Sequence, residues 1–131
     1  MADNLSDYLE NKLLDHSFGK TAYTMPTVYL ALFTTATNDA TGGTEVSGGS
    51  YARKSTAGAD WSAASAGAIT NANALEFIQA TASWGTVTHF ATYDAPTGGN
   101  RLWHGPLTAS KTIDSGDIAR FAAGDIDAAL T

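Results

Sequence analysis

Three histidines, His16, His89 and His104, are the residues of this 131-residue chain best suited to metal or acid–base chemistry. His89 and His104 lie in segment 84–107, where apolar and polar residues alternate around the turn-forming run 95–100. This pattern predicts a β-hairpin that places both imidazoles on one face, in diagonal positions. A zinc site needs one or two further ligands, and the sequence has no HxH or HExxH motif. We therefore expect hydrogen-bonded histidines and no bound metal.

Four aspartates near the C-terminal end are the second candidates for chemistry: Asp114, Asp117, Asp125 and Asp127. The spacing of a calcium-binding loop is missing, and aspartate after glycine commonly stabilises a turn. The chain also has no GxSxG motif, no phosphate-binding loop and no cysteine. The sequence thus predicts no catalytic residue, no cofactor and no enzymatic activity. A sugar hydrolase with two converging carboxylates is the remote alternative.

The charge pattern limits the classes of partner. The net charge is −6, and only Arg53 and Lys54 are adjacent among the seven basic residues. Nucleic acid is not expected as a partner, because phosphate binding needs clustered basic residues. A membrane is not expected either, because no apolar run approaches the roughly 20 residues of a spanning helix, and residues 2–16 do not resemble an export signal. Charged residues make up 15% of the chain, against about 25% in average soluble domains, which favours contacts with other proteins.

Apolar residues recur at helical spacing near the start of the chain, at Leu5, Tyr8, Leu9 and Leu13. This spacing predicts a helix over about residues 5–16, ended by Gly19. A helix of this length needs a surface on which to dock. That surface is either the sheet of the same chain or a neighbouring subunit.

The residue pattern in the remainder of the chain predicts short strands separated by turns rich in Gly, Thr, Asn and Asp. The expected strands are 27–34, 51–54, 74–79, 86–94, 101–107, 117–122 and 125–130, while residues 55–74 are expected as strand or loop. In the hairpin, Asp94 is expected to face Arg101 as a charged pair. The predicted fold is mainly β, an antiparallel β-sandwich or barrel-like domain with one short N-terminal α-helix. It forms a single domain, 1–131, with a β-rich body over 26–131.

Five segments together resemble small proteins of tailed bacteriophages and prophages that are described as tail-fibre-like or minor virion proteins. The matching segments, in order, are 5–19, 26–36, 44–53, 84–105 and 115–126. The resemblance implies a non-enzymatic virion component, assembled in the bacterial host cytoplasm and bound to major capsid or tail proteins, with a homo-oligomer expected. The expected interface residues are Leu5, Tyr8, Leu9, Leu13, Trp61 and Trp103.

The preferred role is that of a decoration or cement protein on the particle surface. The alternative is a tail-fibre-like or receptor-binding component that contacts host-surface glycan or protein through loops 35–50 and 95–100. Loops held on a rigid β-scaffold are a common recognition surface.

Overall fold

The structure, a computed structural model, describes residues 4–130. Residues 1–3 and 131, which belong to the predicted domain 1–131, lie outside this range. The elements in chain order are β1 (Asn4–Leu5), α1 (Asp7–Ser17), β2 (Tyr29–Phe33), β3 (Lys54–Ser55), a 3-10 turn (Gly58–Asp60), β4 (Ala68–Thr70), β5 (Leu75–Glu76), β6 (Gly85–Tyr93), β7 (Arg101–Ile113), β8 (Arg120–Phe121) and β9 (Asp127–Ala129). The prediction of a mainly β, antiparallel fold with one N-terminal helix is confirmed, and the described strands do not close into a barrel.

Helix α1 begins where Ser6 caps it. The Ser6 hydroxyl accepts a hydrogen bond from the backbone N–H of Leu9, and two acidic residues, Asp7 and Glu10, lie in the first turn near the positive end of the helix dipole. The predicted helix 5–16 is confirmed with a start two residues later, because Leu5 pairs with Trp103 in the sheet. Leu9 is 5% exposed, so the apolar stripe of the helix packs against its own domain at that position.

The main sheet has the strand order β1-β7-β6-β2-β3, and every pair in it is antiparallel. Strands β6 and β7 form the predicted hairpin, but β7 continues six residues beyond the expected end at 107. Residues 108–112 are all exposed, and they lack the apolar alternation that signals a strand. The extension was therefore missed from the sequence.

The predicted Asp94–Arg101 pair is wrong, because the strands of the hairpin change register next to the hairpin loop. His89 faces Pro106 and Ala91 faces His104, as in the predicted register, but Tyr93 faces Arg101. The irregularity between Ala91 and Tyr93 adds one residue on β7, which is the effect of a β-bulge. The carboxylate of Asp94 instead accepts two hydrogen bonds from Asn100, at 2.7 Å from its backbone N and 2.9 Å from Nδ2.

The predicted strands 74–79, 117–122 and 125–130 are present as the shorter β5, β8 and β9. Strand β5 pairs with β8 over two residues, and β4 pairs with β9 over three. Predicted strand 27–34 corresponds to β2, while 51–54 overlaps β3 at Lys54 alone. Short two-stranded pairings of this kind leave no long alternating pattern in the sequence.

The hydrophobic core lies between one face of the main sheet and the segments that carry the two small sheets. Leu30, Leu32 and Phe90 contribute from the main sheet, and Leu75 and Phe121 contribute from β5 and β8. The opposite face carries a smaller buried cluster, consisting of Ala31, Phe33, Ala91 and Tyr93. Among the described residues, no helix combines the length and the apolar character that a membrane crossing requires.

Candidate functional site

An apolar groove opens between α1 and the core-facing side of the main sheet, and it encloses about 660 Å³. Leu9 and Leu13 of α1 form one wall, and the irregular segment 23–28 and the region around Trp61 line it as well. Phe90 and Leu102 contribute from the hairpin strands. No charged side chain is among the described residues that line this groove, so its chemistry suits an uncharged, apolar occupant.

The groove reaches the hydrophobic core itself. Phe90 is 1% exposed, and Ile126 and Leu102 are also buried, yet all three belong to its lining. Helix α1 covers the part of the sheet that contains β1 and β7. Ile126 belongs to a different part of the fold, because it directly precedes β9, which pairs with β4. The groove is therefore the part of the domain interior that its own elements leave open.

Trp61 is held in the groove wall by a chain of hydrogen bonds. Its indole Nε1 donates to the Thr56 hydroxyl at 3.1 Å, and that hydroxyl donates to the carbonyl oxygen of Val28 at 2.8 Å. The same carbonyl accepts the backbone N–H of Thr56 at 3.0 Å. This arrangement connects the indole to segment 23–28 and fixes the width of the groove on that side.

Four of the six residues expected at an interface come together in the groove, namely Leu9, Leu13, Trp61 and Trp103. The other two are half-buried outside the lining, Leu5 in β1 and Tyr8 in α1. Contact with a partner stays a prediction for all six residues.

Segment 23–28 was missed as part of a site. It has no regular secondary structure and no apolar period, and its Met25 is 90% exposed at the groove. The one available signal was Met25 itself, an apolar residue between Thr24 and Pro26. Methionine in such a place is typical of adaptable binding surfaces.

The Tyr23 hydroxyl is the exception to the hydrogen bonding of this region. Within residues 4–130 it is the one buried side-chain polar atom that has no hydrogen-bond partner. Burial raises the pKa of Tyr23, and the neighbouring Tyr8 and Asp94 raise it further, so the phenol stays protonated. An unpaired buried hydroxyl costs about 1–3 kcal/mol, which makes segment 23–28 a locally costly arrangement.

On the opposite side of the sheet, two loops form a second surface, here called the loop face, consisting of residues 35–45 and 95–100. Arg101 is 5% exposed, and its guanidinium donates to the carbonyl oxygens of Asn38 at 2.8 Å and Gly42 at 2.9 Å. Arg53 donates to the carbonyl oxygens of Ala95 at 2.9 Å and Gly98 at 2.8 Å. Each arginine thus fastens one of the two loops to the sheet.

The two arginines meet at the ring of Tyr93. The guanidinium carbon of Arg53 lies 3.8 Å from the ring centroid, and that of Arg101 lies 5.7 Å from it. Arg53 also makes two 2.9 Å hydrogen bonds with the Glu45 carboxylate. Burial acts to lower the pKa of Arg53, but the hydrogen bonds and charge of Glu45 outweigh it and raise the pKa above its usual value. The base of the loop face is therefore fixed by both arginines, and Glu45 compensates the charge of Arg53.

His89 and His104 share one face of the hairpin in diagonal positions, as predicted. His104 is buried, with Nδ1 2.8 Å from the Thr37 hydroxyl and Nε2 2.7 Å from an Asp39 carboxylate oxygen. Burial lowers the pKa of His89, and the nearby His104 lowers it further. Both imidazoles are hydrogen bonded, since His89 Nδ1 lies 2.8 Å from the Thr88 hydroxyl. Over residues 4–130, no group of three or more His, Cys, Asp or Glu side chains is placed to hold a metal ion.

Two of the four C-terminal aspartates, Asp117 and Asp125, stabilise turns as predicted, whereas Asp127 lies in strand β9. Asp117 accepts a hydrogen bond from the backbone N–H of Asp114 at 2.9 Å, and Asp125 accepts one from Ala122 at the same distance. The two turns are equivalent, because each aspartate caps the N–H three residues before it.

The chain is an antiparallel β domain with an open apolar groove and anchored loops, which are the two kinds of surface on which binding sites commonly lie. Over residues 4–129 the chain matches the family model described as Podophage GP4 fiber I protein gp80. The chain belongs to this family of phage tail-fibre-like structural proteins, which confirms the resemblance seen in its sequence. No curated protein matches the chain.

Proposed function

We propose that the protein is a non-enzymatic structural subunit of a phage particle and that it contacts a neighbouring subunit through the apolar groove. The observation that supports this proposal most is the groove, because a folded domain normally covers an opening that reaches its core residues. The match to a fibre family over residues 4–129 supports the phage particle as the setting in which a neighbouring subunit would cover the groove.

The energetic argument favours assembly over small-molecule chemistry. Apolar surface removed from water contributes about 25 cal/mol per Å², so covering the groove and the exposed Met25 gives a favourable term that needs no charged partner. The two tryptophans of the groove, Trp61 and Trp103, are of the residue type that dominates interface energetics.

Two placements in the particle follow from the sequence. The family description supports the tail fibre. Capsid decoration, the role preferred from the sequence, is the second candidate, and the low charged content of the chain suits a subunit that coats a surface. In both placements the partners are virion proteins, and the groove is the contact surface.

The experiment is to locate the chain in purified particles of the phage that encodes it. Averaged electron cryomicroscopy images with a gold-labelled antibody against the chain are expected to show label at the tail. Label spread over the capsid surface supports decoration and contradicts the fibre placement. Complete absence of the chain from purified particles, checked by mass spectrometry, overturns the structural role itself.

The loop face favours a receptor-contacting role within a fibre. Its loops are anchored by Arg53 and Arg101, so a ligand would not have to order them on binding, which lowers the entropic cost. Thr41 and Thr97 are exposed on the two loops and provide hydroxyl groups for contact with glycan. The test is binding of the soluble protein to host cells, and loss of binding in Thr41→Ala or Thr97→Ala supports this role. Equal binding by wild type and both variants removes the loop face from consideration.

A further inference from the structure

A second pocket, here called the bulge pocket, opens between β7 and β8 on the core-facing side of the main sheet. It encloses about 330 Å³, near the lower end of the roughly 300–1,000 Å³ of small-molecule sites. Among the described residues it shares no lining side chain with the apolar groove. Its floor is formed by buried core residues, among them Leu32, Val87 and Phe121. Its rim is exposed and polar, and it consists of Thr108, Lys111, Arg120 and Asp125.

The bulge pocket lies where β7 carries more residues than the strand beside it. Between the paired positions Val87 and His89, β6 contributes only Thr88, whereas β7 contributes residues 107–110. A bulge bends its strand and changes the direction of its side chains, and bulges are frequent next to active sites. Residues 107–109 line the pocket, so the irregularity of β7 forms one of its walls.

Lys111 is the first of two cations at the rim. It is paired with Val87 of the core, and side chains of directly opposed residues lie on the same face of a sheet. Lys111 therefore leaves β7 on the core-facing side, although it is exposed. Among the described residues it takes part in no ion pair. Lysine on an edge strand also discourages pairing with another chain, but that role does not account for the apolar floor beside it.

Arg120 of β8 is the second cation at the rim. Its Nε lies 3.2 Å from a carboxylate oxygen of Glu76, and both side chains are more than half exposed, so this ion pair contributes little. The planar guanidinium carries further N–H donors and binds carboxylates in a fixed geometry. Because Lys111 and Arg120 line the same small pocket, a carboxylate bound there can contact both.

The other two rim side chains suit hydroxyl groups. Asp125 accepts the backbone N–H of Ala122 with Oδ2 at 2.9 Å, and its Oδ1 has no hydrogen-bond partner among the described residues. The Thr108 hydroxyl likewise has no partner within residues 4–130, and it can donate or accept. Asp125 would repel a simple anion, whereas a ligand with both a carboxylate and hydroxyl groups makes use of all four rim side chains.

We propose that the bulge pocket binds an acidic sugar, a hexuronate unit of a glycan. Its carboxylate is bound by Lys111 and Arg120, its hydroxyl groups are bound by Asp125 and Thr108, and the apolar face of its ring packs on the floor. Apolar contacts combined with a few well-placed polar groups are typical of small-molecule sites. The pocket belongs to a single chain, so this binding is independent of the proposed contact at the apolar groove.

The test is titration of the full chain, labelled for amide NMR spectra, with three probes: sodium glucuronate, glucose and sodium acetate. Glucuronate is expected to shift the amide signals of residues 107–113 and 119–121 in a saturable way. Glucose lacks the carboxylate and acetate lacks the ring, so each is expected to bind at least about fivefold more weakly than glucuronate.

Two variants separate the charge of the rim from the shape of the pocket. Lys111→Gln is expected to weaken glucuronate binding about fivefold and to leave glucose binding unchanged. Ala109→Phe places a large side chain at an exposed lining residue and is expected to weaken the binding of both sugars. The matched control is Lys20→Gln, which removes the same charge at an exposed lysine outside the pocket and is expected to leave all three titrations unchanged. The amide spectra themselves show whether each variant is folded.

A titration in which glucuronate causes no saturable shift overturns the proposal, and so do shifts confined to the apolar groove or the loop face. Equal affinities for glucuronate and acetate, or equal losses in Lys111→Gln and Lys20→Gln, overturn it as well. These outcomes are separate from the proposed function. A chain that binds no glucuronate but is present in phage particles ends the sugar proposal alone, while a glucuronate-binding chain that is absent from particles ends the structural role alone.

Discussion

Arg101 and Tyr93 stand opposite each other in β7 and β6, and the guanidinium donates to the Tyr93 hydroxyl from Nε at 3.2 Å and from Nη2 at 3.0 Å. The remaining guanidinium hydrogen bonds go to the carbonyl oxygens of Asn38 and Gly42. The described partners of this buried cation are thus neutral oxygens. Arg101 therefore holds loop 35–45 in place through geometry, and lysine cannot substitute for its planar fork.

Replacing Arg101 by alanine is expected to destabilise the chain by roughly 2–4 kcal/mol, because the buried Tyr93 hydroxyl and two partly buried carbonyl oxygens lose their partner. The measurement is the free energy of unfolding from urea denaturation. Arg120→Ala is the matched control, since that side chain is 54% exposed in its ion pair with Glu76, and a change of at most about 1 kcal/mol is expected. Equal losses in the two variants would show that Arg101 does not anchor the loop.

The start of α1 supports a second stability prediction. The buried Ser6 hydroxyl accepts from the N–H of Leu9 and donates to the carbonyl oxygen of Arg101, so one side chain caps the helix and fastens it to β7. Ser6→Ala is expected to cost about 1–2 kcal/mol in urea denaturation. Ser17→Ala in the last turn removes an exposed serine whose hydroxyl bonds only to Leu14 among the contacts described, and it is expected to be near neutral. A larger loss at Ser17 than at Ser6 would contradict the capping role.

The helix and the inner part of the hairpin could be predicted from the sequence because both depend on local periodicity. The register His89–Pro106 and Ala91–His104 follows from the alternation of residues and the turn at 95–100. The register next to the hairpin loop does not follow from the sequence, because a single extra residue on β7 leaves no mark in the hydrophobic pattern. This is why Arg101 was expected beside Asp94 and is found opposite Tyr93.

The candidate site was predictable only in part, for a different physical reason. The aromatic and helical residues of the groove have a recognisable type and spacing, whereas the groove itself arises where α1, segment 23–28 and the region of Trp61 fail to cover the sheet. Likewise, Arg53 and Arg101 are 48 positions apart and meet only at the Tyr93 ring. Contacts between such distant segments are set by tertiary packing, for which a single sequence carries no signal.

The lowered pKa of His89 predicts a pH dependence of stability. Its folded-state pKa lies below the unfolded value of about 6.5, so the unfolded chain binds the proton more readily. His89 therefore leaves the free energy of unfolding unaffected above about pH 6.5 and reduces it as the pH falls toward the folded-state pKa. The urea midpoint of the wild type is therefore expected to decrease as the pH is lowered from about 8 to about 5. The urea midpoint of His89→Gln is expected to decrease less over the same range. Identical pH profiles for the two proteins would exclude His89 as the source.

Two adjacent glycines in the hairpin loop provide a matched pair for the last prediction. Gly98 and Gly99 both have positive φ, at 60° and 72°, so alanine at either position is strained by about 1–2 kcal/mol. A Cβ on Gly98 meets no atom within 4 Å, whereas a Cβ on Gly99 would lie 2.6 Å from both the Ala95 Cβ and an Asp94 carboxylate oxygen. Gly99→Ala must therefore also displace the Asp94 carboxylate from Asn100, and it is expected to lower the free energy of unfolding by at least about 1 kcal/mol more than Gly98→Ala. Urea denaturation of the two variants measures this difference, and a smaller loss at Gly99 than at Gly98 would show that Asp94 does not close the loop as the structure describes.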